Sequence, residues 1–76
     1  NLTINYIIAD QQDVNMAVYN LLGQKVKILV DDIVHPGEYQ IQWNREDNKN
    51  DMVRPGIYLL RLKSGLYAET IRITVE

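Results

Sequence analysis

The sequence predicts an all-β fold, a sandwich or small barrel. Six or seven short runs of alternating apolar and polar residues recur at about ten-residue spacing. The four Gly and two Pro fall at the breaks between runs. No stretch longer than one turn has a helical period. Residues 1–76 make a single domain. A chain of this size buries only about 60% of its unfolded surface, so it has one modest core and little space for an enclosed substrate pocket.

The first strand is Leu2 to Ile8, with Leu2, Ile4, Tyr6 and Ile8 on one face. The polar stretch Ala9 to Asp13 ends it. Two β-rich runs, Val14 to Tyr19 and Lys25 to Val30, form a hairpin, with Val14, Met16 and Val18 sharing the inner face of its first arm. In its second arm strict alternation buries Val26, Ile28 and Val30, but Leu29 competes with Ile28, and a bulge resolves the conflict by shifting parity. The turn Asn20 to Gln24 needs Gly23 for positive φ. Leu21 and Leu22 are too apolar for a bare loop, so this turn is expected to fold back onto the core.

Asp31 to Gly37 is expected to be a connection ending in a Pro-Gly turn. Glu38 to Trp43 alternates cleanly, with Tyr39, Ile41 and Trp43 inward. A polar loop over 44–51 leads through a second Pro-Gly to the strand Ile57 to Lys63, with Tyr58, Leu60 and Leu62 inward. Ser64-Gly65 turns the chain, and Tyr67 to Val75 returns with Ile71, Ile73 and Val75 on one face, closing a terminal hairpin.

Composition excludes several functions. The net charge is −2 and the eight Lys and Arg are scattered along the sequence, which is not the footprint of a nucleic-acid or anionic-membrane binder. Without cysteine there is neither disulfide nor thiolate metal site. No apolar run approaches the roughly 20 residues of a membrane span. The chain begins at Asn1 without a signal peptide, as expected of a piece of a larger protein.

The chemistry-bearing residues favour plain structural roles. His35 and Ser64 are the only His and the only Ser, and nothing in the sequence brings them together as a nucleophile and base. Asp31-Asp32 and Glu46-Asp47-Asp51 suit solvated turns better than acid/base catalysis. Alternate oxygens at Asn44, Glu46, Asn48 and Asn50 resemble a Ca²⁺ loop, but the glycine at position six and the terminal Glu of that template are missing. Trp43, Tyr39, Tyr58 and Tyr6 fall on inward parity, as core residues. Tyr19 and Tyr67 remain as surface aromatics that could stack on a sugar. Asn1-Leu2-Thr3 matches a glycosylation sequon, a short pattern that arises by chance. No catalytic residue, cofactor or metal ligand is assigned, and a small-molecule ligand is not expected.

Several stretches, in order, resemble one family. Ile4, Tyr6 and Ile8 resemble its Thr-x-Ile-x-Tyr-x-Leu opening. Val18 to Val26 with Leu29-Val30 resembles its Val-Tyr-Asp-Leu-Leu-Gly-x-x-Val-x-x-Leu-Val centre. Pro36-Gly37, Tyr39 and Trp43-Asn44 resemble Gly-x-[Tyr/His]-x-x-x-Trp-Asp, and Pro55 to Leu62 resembles Ser-Gly-Val-Tyr-Phe-x-Arg-Leu. The family is the C-terminal Ig-like sorting domain of the type IX (Por) secretion system, which overlaps in pattern with the Ig-like domain of the flagellar hook-capping protein. The resemblance implies an Ig-like antiparallel β-sandwich of about seven strands. It implies a non-catalytic domain at the C-terminus of an exported bacterial protein, directing export through the periplasm and attachment at the cell surface. The implied partner is the secretion translocon or, for a purely structural module, a neighbouring domain of the parent protein. The terminal hairpin would carry much of the signal, which makes Gly56, Tyr58, Arg61 and Arg72 the candidate recognition residues.

Overall fold

A computed structural model of the chain describes residues 2–76, so the Asn1 of the sequon lies outside the described residues. Six strands follow one another: β1 (Leu2–Ile8), β2 (Gln12–Tyr19), β3 (Lys25–Val34), β4 (Gly37–Trp43), β5 (Gly56–Ser64) and β6 (Tyr67–Val75). All pairings are antiparallel. One sheet is β1-β4, the other β3-β2-β5-β6, and the two stack in a sandwich-like arrangement. The count is six among the described residues, against the seven or so expected. The expected connection at Asp31 to Val34 is instead the end of β3, and β2 begins at Gln12 rather than Val14. Pairing explains both differences. Gln12 opposes Val34, Asp13 opposes Ile33 and Val14 opposes Asp32, so the ladder continues through polar residues whose side chains reach solvent.

Alternation builds the core. Val14, Met16 and Val18 of β2 are fully buried, together with Leu60 of β5 and Trp43 of β4. Leu2, Ile4, Tyr6 and Ile41 of the narrow sheet pack onto this cluster from the other side. The register of β3 slips twice: Met16 opposes Val30 but Ala17 opposes Ile28, and Val18 opposes Lys27 but Tyr19 opposes Lys25. Leu29 and Val26 are the extra residues. The first bulge settles the conflict between Ile28 and Leu29. Leu29 and Val30 both pack on the core, while Ile28 turns to the outer face, 42% exposed. Burial of Ile28 is therefore not observed.

The narrow sheet leaves part of its wide partner uncovered. On β6 Ile73 and Val75 are buried as expected, but Ile71, on the same face, is 46% exposed. Tyr67 and Glu69 share that bare stretch of the inner face.

The turn between β2 and β3 also differs from expectation. Leu21 and Leu22 do not fold back; they are 65% and 85% exposed. Polar bonds close this turn instead. The Asn20 side-chain oxygen accepts from the amides of Leu22 and Gln24, both at 3.0 Å. The Gly23 amide, at φ +82°, donates to the Asn20 carbonyl. An asparagine-closed turn is complete without an apolar anchor.

Two strands start with the same device. In His35-Pro36-Gly37-Glu38-Tyr39 and Arg54-Pro55-Gly56-Ile57-Tyr58, the tyrosine hydroxyl donates at 2.6 Å to the carbonyl of the residue before proline. Both glycines need positive φ, +155° and +151°, which side-chain-bearing residues rarely adopt. The Tyr58 ring then enters the core, whereas Tyr39, expected inward, is half-buried on the narrow sheet outside the core cluster. Tyr39 stacks on Tyr6 with centroids 5.3 Å apart, and Tyr58 meets Trp43 edge-on at 5.9 Å. Trp43 donates its indole N–H to the Glu46 carbonyl at 2.9 Å, so its burial leaves no polar atom unpaired.

Two substitutions separate these contributions. Trp43→Ala is expected to cost about 3–5 kcal/mol, enough to unfold so small a domain; an unchanged melting temperature would refute the central place given to the indole. Tyr58→Phe keeps the ring and removes one hydrogen bond, so urea denaturation should show a loss of only about 1 kcal/mol.

Candidate functional site

The four candidate residues of the terminal hairpin divide into two pairs. Gly56 opens β5 at φ +151°, and Tyr58 is buried with its hydroxyl on the Arg54 carbonyl. Both are parts of the frame. Arg61 and Arg72 are exposed on the outer face of β5 and β6. Arg61 opposes Thr70 and Leu59 opposes Arg72, so the two arginines are diagonal neighbours.

The register continues this face across all four strands. One row runs Lys25, Tyr19, Leu59, Arg72; the next Ile28, Ala17, Arg61, Thr70; the third Asp31, Asn15, Lys63, Ala68. Lys25 sits over the Tyr19 ring, 5.9 Å from its centroid. Tyr19 is thus half-buried in the sheet surface rather than free in solvent. Ala17 is 7% exposed although it faces outward, because larger neighbours rise on each side. It lines a shallow depression of about 290 Å³ together with Lys25, Ile28, Asp31, Arg61 and Lys63. The face holds half of the chain's eight Lys and Arg but only two of its ten acids, Asp13 and Asp31, so the rest of the surface is acidic. None of the side-chain hydrogen bonds among the described residues uses Arg61, Lys63 or Arg72. Lys25, Lys63 and Leu59 are additions to the residues singled out from sequence. Their signal was the parity opposite to each buried set, which becomes a surface only when the strand order is known.

The loop over 44–52 covers the outer edge of β3. The Asn48 amide donates to the Val26 carbonyl at 3.0 Å, and its side-chain oxygen accepts from the Ile28 amide at 3.0 Å. One asparagine thus pairs with the edge strand across its bulges. Asp47 organises the loop: its carboxylate accepts from the amides of Asp51 and Lys49 at 3.0 and 2.8 Å. These two bonds, Asp51 first, hold its carboxyl below the usual aspartate range. Asn44 bonds to the Glu46 carboxylate. Of the side chains that resembled a Ca²⁺ loop, Glu46 and Asn48 thus have an oxygen engaged in the fold, and no group of three or more His, Cys, Asp or Glu is placed to hold a metal among the described residues.

The remaining candidates are also accounted for locally. Ser64 Oγ is buried without a hydrogen-bond partner, and no bond joins it to His35, whose carbonyl takes the Tyr39 hydroxyl. Asp32 accepts from the Ile33 amide. Tyr67 is 55% exposed and donates to Glu69, whose carboxylate raises the phenol above its ordinary value. A second groove, about 390 Å³, lies between the edges of β1 and β6 and is lined by Ile4, Tyr6, Leu62 and Ile71 among others. No helix among the described residues is long and apolar enough to cross a membrane.

The Asp47 carboxylate gives a pH signature. Its pKa is depressed in the fold, so its contribution is present above the unfolded value and is lost as pH falls through the lower, folded one. In an NMR titration the Lys49 and Asp51 amide shifts should move together with a midpoint below the ordinary aspartate value, and Asp47→Ala should abolish the transition. A midpoint at or above the ordinary value would show that the two bonds do not persist in solution. No family model, curated protein or solved structure matches this chain.

Proposed function

We propose that this chain is a non-catalytic, Ig-like C-terminal sorting domain, which directs its parent protein across the bacterial envelope and is read by a protein partner of the secretion apparatus. The observation that carries this reading is the way the residues of the resemblance divide in three dimensions. Gly23, Trp43, Gly56 and Tyr58 are spent on the turn, the core and the strand starts. Arg61 and Arg72 of the terminal hairpin stand free on one solvent-facing surface. A sorting domain needs this economy, since it has no substrate to enclose and must present a constant surface whatever cargo precedes it. In this reading the cargo reaches the cell surface by way of the periplasm.

A second reading is a structural module that packs against a neighbouring domain. It is favoured by the bare apolar stretch beside β1 and β6, where Ile7 is 74% and Ile71 46% exposed.

Fusion of the domain to the C-terminus of a fluorescent reporter with a periplasmic signal distinguishes the two in a type IX-competent bacterium. Sorting predicts reporter at the cell surface or in the medium. Retention in the periplasm would overturn sorting and leave the structural module.

A further inference from the structure

We propose that the outer face of the β3-β2-β5-β6 sheet is a docking surface for an acidic protein segment with aliphatic residues between its carboxylates. The proposal deepens the sorting reading, in that it names the chemistry by which a partner would recognise the domain.

Charge complementarity is the first argument. Lys25, Arg61, Lys63 and Arg72 stand on one face of an otherwise acidic domain. Like charges crowded on one surface destabilise it slightly, and the two acids of the face, Asp13 and Asp31, offset only part of the cost of its four cations. Arg61 and Lys63 are two residues apart on one strand, so their heads project from points roughly 7 Å apart. That is also the side-chain repeat of an extended partner, whose alternate carboxylates would meet them in step.

The second argument is what lies between the cations. Tyr19 and Leu59 lie between Lys25 and Arg72 in the first row, and Ala17 and Ile28 lie beside Arg61 in the second. Leu59 is half-buried and Ile28 is 42% exposed, and Ala17 lines the depression. A polyphosphate or a sulfated sugar would neutralise the cations but leave these apolar atoms in water. An acidic peptide with aliphatic residues at the intervening positions satisfies both, with apolar contact contributing affinity and the charged rim contributing steering and orientation. Arg61 and Lys63 stand on β5, an interior strand, and Asn48 takes up the Val26 carbonyl and the Ile28 amide at the edge of β3, so the part of the face around the depression offers no free backbone edge. Recognition is therefore side-chain to side-chain, across the face.

The test is a titration of the isotopically labelled domain with three probes: a synthetic peptide alternating Glu and Val, the same peptide with Lys for Glu, and inorganic polyphosphate. The Glu-Val peptide should shift the amides of Ala17, Tyr19, Leu59, Arg61 and Arg72, and the Lys-Val peptide should not. Binding should weaken as salt rises from about 0.1 M to about 1 M, which shortens the screening length from about 10 Å to about 3 Å. Arg61→Glu with Lys63→Glu should weaken it at least tenfold, whereas Lys49→Glu, on the 44–52 loop, should leave it unchanged; thermal melting of each variant verifies folding. Polyphosphate binding as tightly as the Glu-Val peptide, shifts confined to β1, or an unaffected double variant would each overturn the proposal. The titration needs no secretion machinery. A periplasmic reporter with a positive titration would thus refute sorting alone, and a secreted reporter with a negative titration would refute this face alone.

Discussion

The buried Trp43 indole is the contact on which the rest of the molecule depends. It comes from the two-stranded sheet, meets Tyr58 of the four-stranded sheet edge-on, and sits in the cluster formed by Met16, Val18 and Leu60. Its N–H is equally consequential. By donating to the Glu46 carbonyl it fixes the start of the polar loop, and the same loop then places Asn48 against β3. One residue thus links the packing of the sheets to the protection of an edge. An open edge strand invites pairing with other chains, and β3, bulged twice, carries its protection partly in its own geometry and partly in this loop.

Asymmetry between the sheets shapes the surfaces. Four strands over two leave the inner face of β6 partly bare while its outer face is complete. On that outer face the strand order collects cations that are far apart in sequence: Lys25 from the central hairpin, Arg61 and Lys63 from β5, Arg72 from β6. The chain is mildly acidic overall, yet one of its broad faces is basic. Net charge describes what a protein feels at a distance; the arrangement of charge over a face decides what it can hold.

Much of this fold was legible in the sequence, for identifiable reasons. Alternation marked Val14, Met16, Val18, Trp43, Tyr58 and Leu60 as core because a strand with one buried face has no other way to satisfy them. The competition between Ile28 and Leu29 forecast a bulge because both could not face inward on an unbroken ladder. Leu21 and Leu22 stay exposed despite their apolar character because Asn20 closes the turn by itself, and exposed leucines are common on protein surfaces. The extension of β3 to Val34 was hidden because Asp31 and Asp32 look like a loop, and only the partner strand makes them a ladder. Of the candidate site, Arg61 and Arg72 were named, but their relation to Lys25 and Lys63 rests on β2 lying between β3 and β5, which no local pattern encodes.

The paired Pro-Gly-x-Tyr starts bear on the order of folding. Each tyrosine hydroxyl reaches a carbonyl only four residues back, so each contact closes almost no chain. The β2-β3 and β5-β6 hairpins are local too. Once β2 and β3 have paired as far as Gln12 and Val34, β1 and β4 lie only a few residues beyond, so their ladder extends the same unit. The pairing of β2 with β5 instead encloses residues 20–58. Loop closure of that length must be met before the pairing contributes anything. Strands β1 to β4 therefore assemble first, and the β5-β6 hairpin, with Tyr58 already tied at its start, joins them last. The seam between β2 and β5 is then the late one, and a partner lying across the outer face would hold it closed.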